Sequence, residues 1–311
     1  ALRRTKFEEL FYFQMNLQVL KAENKSETNG LAIAYDEAKI KAKIAELPFP
    51  LTEAQQRSLS EILADMKSGA HMNRLLQGDV GSGKTVIAML SLVKAVENGY
   101  QGALMAPTEI LAKQHFENFC SILSSLNIKV GLLIGSLSVK EHNEALTKIA
   151  DGEWQIVIGT HALIQDKVSF FKLGLVITDE QHRFGVAQRA RLETKAVYVP
   201  DVLVMTATPI PRTMTLTVYG DLDVSSIKHL PPGRKPVRTF LRTKSAREKI
   251  YQFVLGQIKE GRQAYVVCPL IEVSENITAV SAEEIYEELH AGIFRNTPCA
   301  LLHSRLSANE K

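Results

Sequence analysis

From Met72 onward, short apolar runs alternate with longer stretches of helical character, and this alternation limits the possible folds more than any other feature of the 311-residue chain. RLLQGD, GALMAP, KVGLLIG, QIVIGT, LGLVITD and VLVMTAT are all rich in Val, Ile and Leu. Segments of roughly 10 to 18 residues separate most of them, the spacing that a parallel sheet covered by helices on both faces requires. The expected fold class is therefore α/β. The pattern breaks at LPPGRKPV (230–237), where paired prolines and a glycine form a stiff, non-helical spacer. A second alternation follows: VRTFLRT, a helix from Ser245 to Glu260, QAYVVCPL, a helix over 281–291, and CALLHSRLS. About three strands are too few to close an independent sheet, so a truncated second domain with an unpaired edge is expected.

Ahead of the alternation, residues 1 to 47 read as helical. Leu10, Phe13, Leu17 and Leu20 recur at spacings of three and four, and after a polar stretch comes the charged segment YDEAKIKAKIAEL. LPFPLT ends that pattern, because both prolines disfavour helix at the residue before them. Thr52 then caps a helix, EAQQRSLSEILADMKSG, that runs to Gly69.

Composition is that of a soluble globular protein, with 45% hydrophobic and 23% charged residues. No apolar run approaches the ~18 residues of a membrane span. The first twenty residues mix acids, bases and apolar positions, unlike a secretory signal. The chain begins at Ala1 without Met, as a piece of a longer protein would. Cys120, Cys268 and Cys299 are too few and too far apart for a disulfide framework or a zinc site, and reduced thiols in a cytoplasmic protein are expected. A net charge of +3 neither requires nor excludes a nucleic-acid partner.

Gly78-Asp79-Val80-Gly81-Ser82-Gly83-Lys84-Thr85 fits G-x-x-x-x-G-K-[ST] between an apolar run and the amphipathic stretch VIAMLSLVKAVENG. Glycines let the backbone curl so that several N–H groups converge on a phosphate, and the following helix adds its positive end. Lys84 supplies a mobile charge for the β- and γ-phosphates and Thr85 a hydroxyl for Mg²⁺. ATP and Mg²⁺ are the cofactors this pattern implies. In LGLVITDEQH, Asp179 and Glu180 close an apolar run, where open α/β sheets present ligands. Asp179 would hold Mg²⁺ largely through water, and Glu180 would orient and deprotonate an attacking water.

The ordered set Thr52-Glu53-Ala54-Gln55, the phosphate loop, APTEILAKQH, GTHALI, DEQH and TATPIPR resembles superfamily 2 helicases, whose motor is two RecA-like domains with ATP between them. A small P-loop kinase would lack these later motifs. The resemblance implies that Gln55 reads the adenine edge. It places Pro107, Thr108 and Glu109, with Gly159, Thr160 and His161, along the nucleic-acid backbone. Gln181 and His182 would act as a relay, and Thr206, Ala207 and Thr208 would couple hydrolysis to DNA movement. Bottom-up, Thr108 and Thr160 can each serve a DNA phosphate through hydroxyl and backbone N–H, or simply cap the helix they open. Phe49 reads as a staple at the domain entrance or as a stacking platform.

The longer strings GDVGSGKT, LMAPTEILAKQH, DEQHRFGVAQR, MTATPIPRT and LPPGRKPV resemble the RecG family of bacterial branch-migration helicases. The transcription-repair coupling factor Mfd shares HRFGV and TATPIPRT, but Gln181 and Gly233 favour RecG. This resemblance implies the following organisation: 1–50, a helical linker from a missing N-terminal wedge domain; 51–230, the ATP-binding RecA-like domain; and 231–311, a partial second RecA-like domain. It implies an ATP-driven translocase on branched or duplex DNA (stalled forks and Holliday junctions) in recombination and repair. Such a protein would be bacterial, cytoplasmic and nucleoid-associated. A single-stranded DNA-binding protein is a candidate partner, with no stable protein partner evident. The segment by itself is expected to turn over ATP poorly, because the arginine finger of the family lies beyond Leu306. Arg183, Arg189 and Arg191 form either a solvated basic face or a DNA-facing element, and Ser304 stands where the family favours glycine. A nucleotide-dependent binding module, an RNA helicase and a transcription-coupling factor are the rival readings.

Overall fold

The computed structural model describes residues 2–27, 30–34, 49–179, 199–207, 222–227, 237–269, 281–303 and 306. The segments YDEAKIKAKIAEL and RFGVAQR lie outside these residues, as do 230–236 and Ser304. The chain divides into two compact units, Ala1–Arg234 and Lys235–Lys311.

In the first unit, the six expected apolar runs form β1 (Asn73–Gly78), β2 (Gln101–Met105), β3 (Val130–Leu133), β4 (Ile156–Gly159), β5 (Leu173–Asp179) and β6 (Asp201–Thr206). A further strand, β7 (Asp223–Ile227), pairs with β1. Among the described residues the strands make one sheet in the order β3-β4-β2-β5-β6-β1-β7. Every pairing is parallel, so all strands end on the same edge.

Strand alternation sorts the apolar side chains into two cores, one on each face. Leu104, Ile156, Ile158, Leu175, Ile177, Leu203 and Met205 join one cluster with α2 (Glu53–Lys67), α3 (Lys84–Glu97) and α4 (Glu109–Leu123). Their neighbours Ala103, Met105, Val157 and Val176 join the other, against α5 (Val139–Ala150) and the 3-10 turn His161–Ile164. This double burial explains why the strands read as continuous apolar runs. Arg74 on β1 also ties α2 down: its guanidinium donates to Asp65 Oδ2 at 2.7–2.8 Å and to Ser225 Oγ of β7 at 2.8 Å.

Helix α1 (Leu2–Glu27) confirms the helical reading of the N-terminal segment, but not a buried stripe, since Leu10 is 61% exposed. At α2, Thr52 accepts from Gln55 N–H in a capping box. The residue preceding the cap is Leu51, which is buried, so the staple position belongs to Leu51 and not to Phe49.

The second unit holds α6 (Arg247–Lys259) and α7 (Ala282–Ala291) close to their expected limits. Tyr251, Val254, Leu255 and Ile258 pack against Ile285, Leu289 and Phe294. Arg247 spans the pair, donating to Tyr251 Oη at 3.0 Å and to Glu288 Oε2 at 2.9 Å. The three expected strands are a correction: among the described residues, 237–243, 262–268 and 298–303 are neither helix nor ladder-paired strand. Leu241, Tyr265 and Val267 are exposed there. An apolar run becomes a strand only when a neighbouring ladder takes up its backbone groups.

Candidate nucleotide and nucleic-acid site

The C-terminal ends of the strands carry nearly all of the described motif residues. Gly78 ends β1, and the loop that follows turns through Gly81 (φ +76°) and Gly83 (φ +87°) into α3, which starts at Lys84. Gly83 is favoured by the backbone conformation of this turn. Its φ lies in the left-handed region, and a Cβ there would stand 2.2 Å from Gln55 Nε2. No side chain among the described residues caps α3, which leaves its first N–H groups without a side-chain partner of that kind.

Gln55 is buried against this loop. Its Nε2 donates to Ser82 O at 2.8 Å, while its Oε1 accepts Thr52 N–H at 2.8 Å. One N–H and one lone pair of the amide remain for an adenine edge. Lys84 Nζ donates to Gly78 O at 2.7 Å and Asp79 O at 2.9 Å, curling the loop around its own ammonium. Asp79 Oδ1 accepts Val80 N–H at 2.7 Å. Ser82 Oγ is buried with no hydrogen-bond partner among the described residues. A helix N-terminus with a glycine cap, an ammonium at its first residue, a buried hydroxyl and two left-handed glycines fit a polyphosphate.

Asp179 ends β5, whose register runs through β6 to β1 (Asp179↔Met205↔Leu76), so it stands two strands, about 10 Å, from the phosphate loop. Thr85, one residue into α3, and Asp179 have the oxygen chemistry for Mg²⁺. Asp179 Oδ2 is held by His115 Nε2 of α4 at 3.0 Å. Sequence reading gave His115 no role, although it stands in the quoted string APTEILAKQH. Nothing local marks it, because its partner is 64 residues away. Thr206 ends β6 beside Gln77 and is buried, with Ala207 next to it. Glu180, Gln181, His182 and Thr208 lie outside the described residues.

The other end of the same edge collects Pro107, Thr108, Glu109, Gly159, Thr160 and His161, after β2 and β4. Thr108 caps α4, its hydroxyl accepting Leu111 N–H at 3.3 Å. Glu109 Oε1 accepts Ser136 N–H at 3.0 Å, fixing the loop after β3. Gly159 has no room for a side chain, since a Cβ would lie 2.2 Å from Leu133 O. Thr160 precedes the 3-10 turn without capping it by its side chain, and His161 is exposed. A groove of about 640 Å³ has Leu137, His142, Asn143, Gln165, Asp166 and Lys167 in its wall, and none of the six motif residues. The motif residues therefore segregate. Phosphate-loop residues and Asp179 sit over β1 and β5, and the set expected to line nucleic acid sits over β2 and β4.

Known proteins resemble the chain over its whole length. Over its whole length the chain is 53% identical to the ATP-dependent DNA helicase RecG of Streptococcus pneumoniae serotype 4 and 48% identical to that of Bacillus subtilis strain 168. It spans about half the length of these curated relatives, 46% in both cases. A solved structure of RecG bound to a three-way DNA junction matches with a TM-score of 0.75 and 44% identity, over 92% of this chain and 37% of that one. The parallel sheet is accordingly the RecA-like helicase fold. A sequence model of the DEAD/DEAH box helicase family matches residues 52–216, just over half of the chain, from the cap of α2 to beyond β6. The chain belongs to the DEAD/DEAH box helicase family.

Proposed function

We propose that the chain carries the ATP-binding motor of an ATP-dependent DNA helicase or translocase that, like RecG, remodels branched DNA at stalled forks and Holliday junctions in recombination and repair. On this reading residues 1–50 link a wedge domain to the motor, 51–230 form the ATP-binding domain and 231–311 belong to a second RecA-like domain. The protein works in the bacterial cytoplasm at the nucleoid, with branched or duplex DNA as partner and a single-stranded DNA-binding protein as candidate second partner.

When bound, Mg²⁺·ATP supplies the transferable γ-phosphoryl group and the metal's charge. The loop N–H groups from Gly78 to Thr85 and the Lys84 ammonium bind the phosphates, Lys84 exchanging its two carbonyl partners for phosphate oxygens. Thr85 and Asp179 hold the metal side, and Glu180 orients water and takes its proton. Gln55 offers its remaining donor and acceptor to the adenine edge. Gln181, His182, Thr206, Ala207 and Thr208 relay the state of this site toward the DNA. Pro107, Thr108, Glu109, Gly159, Thr160 and His161 lie along the DNA backbone.

The observation that carries the reading is a loop that turns through left-handed Gly81 and Gly83 and holds the Lys84 ammonium, at the end of a strand two places from Asp179 on the same sheet edge. The test is ATP hydrolysis by the full-length gene product with forked, linear duplex and single-stranded DNA. Forked DNA is expected to stimulate most, and Lys84→Ala and Glu180→Gln each to lower turnover on the order of 10²–10³-fold. Turnover indifferent to DNA and untouched by Glu180→Gln would leave a nucleotide-binding module instead.

A further inference from the structure

Helix α4 touches both halves of the edge. Thr108 caps it at one end, and seven residues on, about 10 Å along the axis, His115 projects onto the end of β5. The strand preceding α4 is β2, which pairs directly with β5 (Met105↔Thr178). α4 itself packs on β3 and β4, and His115 reaches from it to the end of β5. The contact is well shielded, with 9% of the imidazole side chain and 16% of the carboxylate side chain exposed. A carboxylate accepts only, so His115 Nε2 carries the hydrogen in this bond.

We propose that His115 is a positioning residue that fixes the Asp179 carboxylate for the metal ion and ties it to the helix that opens with Thr108. The proposal rests on the nucleotide reading above and deepens it. With Oδ2 held by the imidazole, the Asp179 carboxylate is restrained and Oδ1 is left for the metal. Hydrogen bonds from outside the coordination sphere orient ligating carboxylates in this way, and their loss costs about 10–100-fold in metal affinity. Because α4 is rigid over two turns, any displacement of its first turn by DNA is passed to Asp179 through the same bond.

The test uses Mn²⁺ in place of Mg²⁺ and a non-hydrolysable ATP analogue, so that no turnover is involved. Protein-bound Mn²⁺ is followed by electron paramagnetic resonance at saturating nucleotide. His115→Leu, which fills the space without a donor, is expected to raise the half-saturating Mn²⁺ concentration at least about tenfold. His115→Gln, whose Nε2 falls near that of the imidazole, is expected to restore it. Metal-free binding of a fluorescent ATP analogue is expected to be the same in all three proteins. Should the Leu variant fail to fold, His115→Asn replaces it, being equally polar but one methylene too short to reach Asp179. Unchanged Mn²⁺ uptake in a folded Leu or Asn variant overturns the proposal and leaves His115 as packing between α4 and the sheet. Failure of the nucleotide reading looks different: the wild-type protein itself takes up no Mn²⁺ with nucleotide, which removes both.

Discussion

The two halves of the sheet's C-terminal edge are held in different ways. Over β1 the phosphate loop is fixed through its backbone, whose carbonyls accept from Gln55 at Ser82 O and from Lys84 at Gly78 O and Asp79 O, with Gly83 in the left-handed region. Over β2 and β4 side chains at the surface do the fixing: Thr108 caps α4 and Glu109 holds Ser136 N–H. A backbone cradle presents donors whatever the neighbouring side chains are, whereas Thr108 and Glu109 already have structural bonds. Substitution should therefore affect the first half in ligand binding at almost no structural remove. In the second half it should mix stability with binding. The contact between His115 and Asp179 joins the two halves through side chains.

The sharpest way to break this comparison is a matched pair of glycine substitutions. Gly83→Ala places a methyl group in a left-handed position, at a cost of about 1–2 kcal/mol, and against the movable end of Gln55. If that cost falls on the binding-competent loop, nucleotide affinity drops roughly tenfold, while DNA binding without nucleotide stays as in the wild type. Gly159→Ala drives its methyl into a backbone oxygen, Leu133 O, which cannot swing aside. It is expected to cost about 1–3 kcal/mol of stability and to weaken DNA binding while sparing nucleotide binding. Titrations with a fluorescent nucleotide and with labelled duplex DNA separate the two. If each variant loses both ligands, the halves are not independent.

The opposite edge of the sheet supplies a control that should disturb neither half. Asp201 opens β6 with no exposed surface; one oxygen accepts Met72 N–H at 2.8 Å and the other has no partner among the described residues. Burial, partly offset by that N–H and reinforced by nearby Asp65, pushes its carboxyl up from 3.8 to about 8. Below the lower value both folded and unfolded chains carry the proton and nothing is lost. Between the two values the unfolded chain ionises while the folded one holds its proton, so stability falls as pH rises. The slope is at most about 1.4 kcal/mol per pH unit. Asp201→Asn keeps the acceptor for Met72 and removes the titration. In urea denaturation the variant is expected to match the wild type at pH 4, to exceed it increasingly toward pH 8, and to bind both ligands normally. An advantage that is equal at all pH values would show that Asp201 is already ionised in the folded chain.

Much of this organisation is legible in the sequence, for identifiable reasons. β2, β4, β5 and β6 lie buried on both faces, so they read as largely unbroken apolar runs. β7, DVSSI, is an edge strand with Val224 partly exposed, and its polar pattern hides it. The phosphate loop is legible because its glycines answer a local backbone need. His115 and Asp201 were not, because their significance comes from partners 64 and 129 residues away. In the second unit the helices were legible from their own periodicity, as in α7 with its Ser281 capping box. The apolar runs there were misread as strands because strand formation depends on a neighbouring ladder, which composition does not report.

The smallest expected effect tests whether Thr108 has one duty or two. Its hydroxyl already accepts Leu111 N–H, so Thr108→Ala removes a cap worth about 1 kcal/mol. A hydroxyl that also meets a DNA phosphate would add a loss in DNA affinity on top of that change in stability. Thr108→Ser keeps both functions and should restore both. Thr108→Asp keeps a strong cap but sets a negative charge before the helix, so it should recover the thermal midpoint and repel the phosphate. Melting curves and DNA titrations on the three variants then separate the duties. If DNA affinity follows stability through the whole series, including the aspartate, Thr108 is a cap alone and the contacts over β2 come from backbone N–H groups. If the aspartate restores melting yet binds DNA more weakly than alanine, the second half of the edge meets the phosphate backbone through the same hydroxyl that starts α4.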